Sequence, residues 1–188
     1  MRSLFHKTIE QLEEEKLLIA QAQSNSKDFE PLYNQNFEKI FRFVYQRVET
    51  KDEASDITSQ VFLKALLNLK KFKYKSIPFS AWLFRIAISE ISNYYSKSGK
   101  NRTVNVETNQ LNNFFDSSEP SLDEERIEQI LNTLKKISGE DLLLIEMRFF
   151  ENRPFKEIGN ILKVTENNAK VRVYRIIDKL KHSLNLKS

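Results

Sequence analysis

The chain has 188 residues, 40% of them hydrophobic and 30% charged, which is typical of a soluble folded protein. It has no cysteine, which excludes disulfides and cysteine-based nucleophiles and metal sites, and its three glycines are too few for a phosphate-binding loop. No apolar run reaches the roughly 20 residues of a membrane helix, and residues 1–18 lack the apolar core of a secretion signal, so we expect a cytoplasmic protein.

The net charge of +4 is distributed unevenly along the chain. Residues 64–102 hold nine Lys or Arg and one acid, and residues 152–188 hold nine Lys or Arg and three acids. Between these blocks, residues 103–125 hold six acids and no base. Two basic blocks separated by an acidic one predict two surfaces that face nucleic acid, with a different kind of element between them.

Apolar residues recur at three-to-four spacing along the first half of the chain, which predicts helices, and no segment alternates with period two for long enough to predict a strand. The first helix is predicted over residues 8–24. Asp28 is expected to cap the second helix, and Asp52 is expected to cap a third, long helix. A basic and aromatic break follows, after which Pro78 is expected to open a fourth helix over residues 79–97.

Residues 99–121 are polar and predict a linker. Its apolar residues Leu111, Phe114 and Phe115 either form a short helix that packs on a domain or bind a partner. The sequence therefore predicts an all-α protein of two small helical domains joined by a polar, acidic linker. Its predicted parts are an N-terminal helical extension (1–27), a first domain (28–98), the linker (99–121) and a second domain (122–188).

The second domain is predicted to contain a helix-turn-helix unit at about residues 154–180. Ser138-Gly139 is expected to stop one helix, and a buried helix is expected over Leu142–Phe150 before the unit. The supporting helix is predicted over Phe155–Leu162, with Gly159 where the two helices of the unit cross closely. In this architecture the second helix enters the major groove of DNA.

Thr165 is expected to cap this second helix, which is predicted to run from Glu166 to Leu180 and to bury one apolar stripe. Its outer face carries side-chain types that read base edges and hold phosphates. The residues predicted to contact DNA are Thr165, Glu166, Asn167, Asn168, Lys170, Val171, Arg172, Tyr174 and Arg175. The alternative is an ordinary solvated face on an amphipathic helix.

The helix-turn-helix residues resemble region 4 of bacterial sigma factors, through Lys156–Gly159, Leu162–Thr165 and Asn168–Arg175. The sequence departs from the family at Lys163, where many members have Gly, and at Ala169, where Val is frequent. By itself this half would equally suit an activator of the response-regulator type, which shares the unit.

The first domain resembles region 2 of the extracytoplasmic-function sigma factors. Phe29–Tyr33 and Ile40–Val44 are similar to region 2.1, Asp52–Ala65 to region 2.2, and Phe79–Ala87 to regions 2.3 and 2.4. The resemblance covers the chain from about residue 14. It implies a sigma factor, a non-enzymatic subunit that directs core RNA polymerase to specific promoters, recognises two promoter elements and helps to separate the strands.

The resemblance implies that region 2.2 binds the clamp of the largest polymerase subunit. It assigns this contact to Asp56, Ser59, Gln60, Phe62 and Leu63. On the residues alone, Asp56 would be a solvated or helix-capping acid and Phe62 a core residue.

The basic and aromatic block suits strand opening, because stacking on an aromatic ring is worth ~1–3 kcal/mol per unpaired base and basic side chains hold phosphates. The family holds a flipped base of the downstream promoter element in a loop that corresponds to residues 72–79. Ser89 replaces the Asn that is usual in the family, and Trp82 suits a core position equally well. The predicted downstream-element and melting residues are Lys71, Phe72, Lys73, Tyr74, Lys75, Phe79, Trp82, Arg85, Ser89 and Asn93.

The resemblance also implies partners. The helix-turn-helix is implied to read the upstream promoter element. The acidic linker either imitates nucleic-acid charge in the polymerase channels or is merely solvated. An anti-sigma factor, commonly membrane-bound in this family, is a further implied partner, whereas no small-molecule substrate, cofactor or metal is expected.

Two other functions compete with the sigma-factor hypothesis. The first is a helix-turn-helix regulator that binds DNA without polymerase. The second is an enzyme that holds a metal with Asp52, Glu53 and Asp56, although that helix lacks a histidine partner.

Overall fold

The computed structural model describes most of the chain, and all regular secondary structure in the described residues is helical, as predicted. The described residues are 9–74, 78–99, 128–130, 132–134 and 137–183. The chain divides into two compact units, residues 1–105 and 106–188. None of the described helices is long and apolar enough to cross a membrane.

The described part of the first unit is a bundle in which α3 packs against both α2 and α4. Its α-helices are α1 (Ile9–Ser24), α2 (Glu30–Tyr45), α3 (Lys51–Asn68) and α4 (Phe79–Ser98). Short 3-10 turns at Ser26–Phe29 and Leu69–Lys71 precede α2 and follow α3. Apolar side chains at three-to-four spacing meet between the helices, and burial of each large one contributes about 1.5–3 kcal/mol. The core includes Leu32, Ile40, Phe43, Val44, Ala54, Val61, Ala65, Leu83, Phe84 and Ala87.

Two predicted helix caps are wrong. Thr50, rather than Asp52, caps α3, and Glu53 completes a reciprocal capping box with hydrogen bonds of 3.2 and 3.0 Å. The box satisfies two backbone donors at once, whereas a cap at Asp52 would have started the helix two residues later. Asn25, rather than Asp28, provides the side-chain cap before α2, by accepting a backbone N–H of the 3-10 turn at 3.2 Å.

The N-terminal helix α1 is part of the first unit, where it contacts α2 and the turn Leu69–Lys71. Ile19 and Ala22 of this helix are buried, together with the carboxylate-bearing Glu15. Leu17 is 64% exposed and lies outside this buried stripe. Helix α4 ends at Gly99, whose φ of 65° is the left-handed conformation that favours glycine. Beyond Gly99, the predicted linker lies outside the described residues.

The second unit contains α5 (Gly139–Ile145), a π-helical turn (Glu146–Phe150), α6 (Phe155–Leu162) and α7 (Glu166–Ser183). Ser138 has extended backbone and interrupts the helical structure, as expected, and it also starts α5, because its hydroxyl accepts the Asp141 N–H at 3.2 Å. The buried helix predicted over Leu142–Phe150 therefore begins three residues earlier, and from Glu146 to Phe150 it continues as the π-helical turn. Its buried partners in the unit include Ile130, Leu134, Ile158, Ile161, Ala169, Val173, Ile176 and Leu180.

Candidate promoter and polymerase interfaces

The two helices of the helix-turn-helix begin where predicted, and the second runs three residues beyond the predicted Leu180. The backbone of the turn and of the start of α7 lies close to Gly159. A Cβ atom at this position would lie 2.8 Å from the Val164 carbonyl oxygen and 3.3 Å from the Glu166 nitrogen. Both neighbours are backbone atoms, which cannot rotate out of the way. The expectation that Gly159 must be small is confirmed.

The turn between α6 and α7 depends on a residue in the left-handed conformation. Lys163 has φ 58° and ψ 38°, and it ends α6. This conformation costs an L-residue with a side chain roughly 1–2 kcal/mol, whereas glycine adopts it readily. Thr165 then caps α7 as predicted, since its hydroxyl accepts the Asn168 N–H at 3.1 Å.

The outer face of α7 is exposed, and its buried stripe is Ala169, Val173, Ile176 and Leu180. The outer face also carries Val171 and Tyr174, which are among the most exposed large hydrophobic residues in the described part of the chain. Lys170 lies over the Tyr174 ring, with its ammonium 6.0 Å from the ring centroid. The face therefore offers donors, acceptors and apolar surface side by side. The exposed predicted residues are Thr165, Glu166, Asn167, Asn168, Lys170, Val171, Tyr174 and Arg175.

Arg172 differs from the other predicted DNA contacts because acids of its own unit engage it. Its guanidinium lies 2.8 Å from Asp141 and 3.2 Å from Glu140, in the first turn of α5, and its side chain is 25% exposed. Burial acts to lower the pKa of Arg172, but the hydrogen bonds to these two carboxylates and their negative charges together raise it. In this structure Arg172 joins α7 to α5.

A face of α3 carries most of the predicted polymerase contacts. Asp56, Ser59, Gln60 and Leu63 are exposed and follow three-to-four spacing, so they lie on one side of the helix. Phe62 does not lie on this surface. Its side chain is 4% exposed and packs against the rings of Tyr33 and Phe37 on α2. In this structure Phe62 is therefore not accessible for the predicted direct contact with the polymerase.

An aromatic ladder runs along α2 beside this face. It consists of Tyr33, Phe37, Phe41 and Tyr45, four residues apart, with successive ring centroids 5.2, 6.0 and 6.0 Å apart. The Tyr33 and Phe37 rings contact Phe62 with centroids 4.6 and 6.1 Å apart. Tyr33 and Tyr45 are exposed, and the others are half-buried. These residues belong to the apolar pattern of α2, and the signal for a continuous aromatic stripe was that they are spaced four residues apart.

The basic and aromatic segment forms a cluster of three rings. Phe72 lies 4.6 Å from Trp82 and 5.5 Å from Phe79, and Phe79 lies 5.3 Å from Trp82, all between ring centroids. Phe79 is fully buried, so the prediction that it stacks on a base does not hold in this structure. Phe72, Tyr74 and Trp82 are half-buried and keep partly accessible rings.

Matches to family models and relatives agree with these two units. Residues 32–101 match the model described as "Sigma-70 region 2", and residues 133–182 match "Sigma-70, region 4". The chain is 28% identical over 165 residues to the extracytoplasmic-function RNA polymerase sigma factor BldN of Streptomyces coelicolor, which covers 85% of this chain and 62% of BldN. The chain belongs to the extracytoplasmic-function sigma factors of the sigma-70 family. This is the non-enzymatic family of promoter-recognition and transcription-initiation factors for RNA polymerase.

Two further proteins are similar to this sigma factor. The RNA polymerase sigma factor YlaC of Bacillus subtilis is 24% identical over 158 residues, which is 82% of this chain and 91% of YlaC. The solved structure of CnrH, in complex with the cytosolic domain of CnrY, shares the fold with a TM-score of 0.57 at 21% identity. That match covers 93% of this chain and 99% of CnrH.

The family decides between the competing hypotheses. A regulator that works without polymerase accounted only for the C-terminal unit, whereas the sigma-70 region 2 match covers the first unit. The enzyme hypothesis relied on Asp52, Glu53 and Asp56. Among the described residues no group of three potential ligands is placed to hold a metal ion, and Glu53 is engaged in the cap of α3 and with the Tyr94 hydroxyl.

The remaining predicted residues of the sigma region 2 unit lie next to Phe72 in sequence or farther along α4. Lys71 and Lys73 are exposed, and burial lowers the pKa of the half-buried Arg85. Ser89 and Asn93 are exposed on α4. The Asn93 amide donates to Glu90 at 3.2 Å, and Glu90 also pairs with Lys64 of α3 at 2.6 Å. Lys75 lies outside the described residues.

Sequence reasoning missed the residues of α1 that contact this segment. The Gln23 amide donates to the carbonyls of Leu69 and Phe72 at 2.9 and 2.8 Å. Glu15 accepts the Phe79 N–H at 3.0 Å. The one available signal was that Glu15 lies in register with Leu12, Ile19 and Ala22, which puts an acid in an apolar stripe.

Proposed function

We propose that this sigma factor acts in the cytoplasm, where it directs core RNA polymerase to specific promoters and helps to separate their strands. The observation that carries the proposal is that one chain combines two sigma-70 units. The region 2 unit presents an exposed face on α3 and a basic aromatic segment, and the region 4 unit presents an exposed, basic recognition helix.

The proposed polymerase-binding surface is the exposed face of α3 with the aromatic ladder of α2. Leu63 is 48% exposed and Leu67 is 71% exposed, and the polar side chains of Asp56 and Gln60 lie among them. Apolar anchors with a polar rim are typical of specific protein interfaces. We assign this surface to the clamp of the largest polymerase subunit, with Phe62 supporting it from below.

The proposed upstream-element reader is α7 in the major groove. Asn167 and Asn168 suit the paired donor and acceptor of adenine, Val171 suits the methyl group of thymine, and Arg175 suits a phosphate or the acceptors of guanine. All four are exposed. Arg172 forms ion pairs with acids of α5, so we assign it the role of orienting α7. A contact between Arg172 and DNA would require these ion pairs to break.

The proposed site for the unpaired downstream base is formed by Phe72, Tyr74 and Trp82. Their half-buried rings offer faces for stacking, and Lys71 and Lys73 lie next to them in sequence to hold phosphates. Phe79 supports the rings from within the core.

The regulatory partner that we propose is a membrane-anchored anti-sigma factor. The support is that CnrH was solved with the cytosolic domain of CnrY, and that the sigma factor RpoE of Bartonella quintana, similar in fold with a TM-score of 0.55, was solved with the anti-sigma factor NepR. Exposed apolar surface on α2 and α3 suits such a partner, because a bound inhibitor there would exclude the polymerase.

Reconstitution with core RNA polymerase on a genomic promoter library tests the proposal. We expect promoter-specific transcripts that core polymerase does not make alone. A protein that binds DNA fragments tightly but never associates with core polymerase would contradict the proposed function.

A matched pair of variants tests the α3 surface. Leu63→Asp places a charge in the proposed interface and is expected to weaken core binding by at least about tenfold, since truncation of an interface anchor costs on the order of 2 kcal/mol. Leu17→Asp makes the same change at another exposed leucine, on α1. Equal affinities of the two variants for core polymerase, in a fluorescence-anisotropy titration, would contradict the assignment.

A further inference from the structure

Helix α1 holds both ends of the segment that carries the downstream-element rings. At one end, the Gln23 amide donates to two backbone carbonyls, those of Leu69 and Phe72, at 2.9 and 2.8 Å. At the other end, the Glu15 carboxylate accepts the Phe79 N–H at 3.0 Å, where α4 begins. These partners are separated by 46 to 64 residues along the chain, so the contacts are purely tertiary.

A fourth hydrogen bond ties the middle of the segment to the same helix. The Tyr74 hydroxyl donates to the Leu12 carbonyl oxygen at 3.1 Å. Burial raises the pKa of Tyr74, and the negative charges of Glu15 and Glu13 raise it further, so the hydroxyl keeps its proton and remains a donor. Two of the three rings proposed to meet the unpaired base, Phe72 and Tyr74, are therefore anchored to α1 through their own residues.

The spacing of the anchors sets the span of the segment. Glu15 and Gln23 are eight residues apart on one helix, which is a rise of roughly 12 Å. A helix is stiff over two turns, so the distance between the two anchored ends of the segment is fixed from outside it. Glu15 is 1% exposed, and a buried carboxylate of this kind needs its donors to remain in place.

We propose that α1 positions Leu69–Tyr74 and the start of α4 at Phe79, and that it thereby sets the base preference at the downstream promoter element. Glu15 and Gln23 are positioning residues in this mechanism: they touch the backbone of the segment and leave the DNA contacts to its rings. The inference rests on the proposed function, because it concerns how this sigma factor selects an unpaired base.

The first experiment compares Gln23→Ala with Gln21→Ala in the full chain with core polymerase. Gln21 is an exposed side chain on the same helix and serves as the matched control. Transcription is measured on promoters that carry each of the four bases at every downstream-element position. We expect Gln23→Ala to lose about tenfold on the preferred base, the effect of two lost hydrogen bonds, and less on the others, so that the preference flattens. The control variant should keep the wild-type profile.

Trp82 provides a readout that needs no promoter. It is the single tryptophan of the chain, and its ring lies 4.6 Å from that of Phe72. Release of the Phe72 carbonyl should loosen this ring contact and shift the Trp82 fluorescence emission to longer wavelength in Gln23→Ala but not in Gln21→Ala. Circular dichroism melting of each variant establishes that the unit is still folded.

Glu15 offers a test by conservative rescue. Glu15→Gln keeps an oxygen that accepts the Phe79 N–H, whereas Glu15→Ala removes the acceptor. We expect the Gln variant to retain the base profile and the Ala variant to lose it. Should the Ala variant fail to fold, Tyr74→Phe serves instead, because it keeps the ring and removes only the bond to Leu12.

The outcomes separate the inference from the proposed function. If the wild-type protein makes promoter-specific transcripts while Gln23→Ala keeps both the base profile and the Trp82 emission, the inference is overturned and the proposed function stands. If the wild-type protein makes no such transcripts, the proposed function fails and takes the inference with it. A flattened profile with unchanged core binding supports both.

Discussion

The two proposed DNA-contacting regions are built in opposite ways. The recognition helix α7 presents its outer face to solvent, and it packs on α5 and α6. The segment from Phe72 to Trp82 instead packs its rings on one another, with Phe79 fully buried and α1 bonded to its backbone. Duplex DNA exposes its base edges in the groove, so an exposed helix face can contact them. An unpaired base is bound in a pocket, so the side chains that line the pocket must be kept in position by the residues packed against them. An aromatic residue is therefore expected to contact DNA directly in α7, whereas in the other region it can also serve as a buried support.

The largest expected effect contrasts an aromatic residue from each region. Phe79→Ala removes a fully buried ring and should lower the free energy of unfolding of the first unit by about 4 kcal/mol, because it leaves a cavity beside Phe72 and Trp82. Tyr174→Ala removes a ring that is 52% exposed and should change stability by less than about 0.5 kcal/mol. Urea unfolding followed by circular dichroism measures both, and similar losses would show that the two regions do not differ as described.

The next effect concerns the crossing of α6 and α7. Gly159→Val forces a side chain against the Val164 carbonyl and should destabilise the second unit by about 2 kcal/mol. Upstream-element binding should fall with it, while core binding through the first unit stays unchanged. Lys156→Ala, at an exposed position of α6, is the control. A Gly159→Val protein with wild-type melting and DNA affinity would refute the close-approach argument.

The two arginines of α7 should separate by mechanism. Arg172→Ala breaks the ion pair with Asp141 and Glu140 and should lower the stability of the second unit by about 1 kcal/mol, since the guanidinium is mostly buried. Arg175→Ala should leave stability unchanged and weaken DNA binding with a reduced salt dependence. Thermal unfolding and a salt titration of DNA affinity distinguish them. The assignment fails if Arg172→Ala melts like wild type.

The smallest effect is a stabilisation. Lys163 adopts a left-handed conformation that glycine adopts without steric cost. Glycine also has greater conformational freedom in the unfolded chain, which offsets part of the gain. Lys163→Gly should therefore stabilise the second unit by only about 0.5 kcal/mol. Differential scanning calorimetry measures the shift. Leu162→Gly, inside α6, is the matched control and should destabilise. A lower melting temperature for Lys163→Gly would mean that the Lys163 side chain contributes more than its backbone costs.

Local patterns in the sequence were sufficient for much of the fold. The supporting helix Phe155–Leu162, the small residue at Gly159 and the cap at Thr165 all follow from spacing and backbone preferences within a few residues. The predicted caps Asp28 and Asp52 failed because each region offers more than one capping side chain. Thr50 followed three residues later by Glu53 was the stronger signal, since that pattern forms a reciprocal box.

The sequence by itself determined the helical architecture, the helix-turn-helix and the resemblance to two sigma-factor regions, because these depend on periodicity and on short motifs. Only the tertiary structure decided which members of each motif face solvent. It buried Phe62 and Phe79, joined Arg172 to acids 31 and 32 residues away, and tied the aromatic segment to Gln23 and Glu15. The physical reason is that helix periodicity specifies a face, whereas exposure and pairing depend on which distant helix packs against that face.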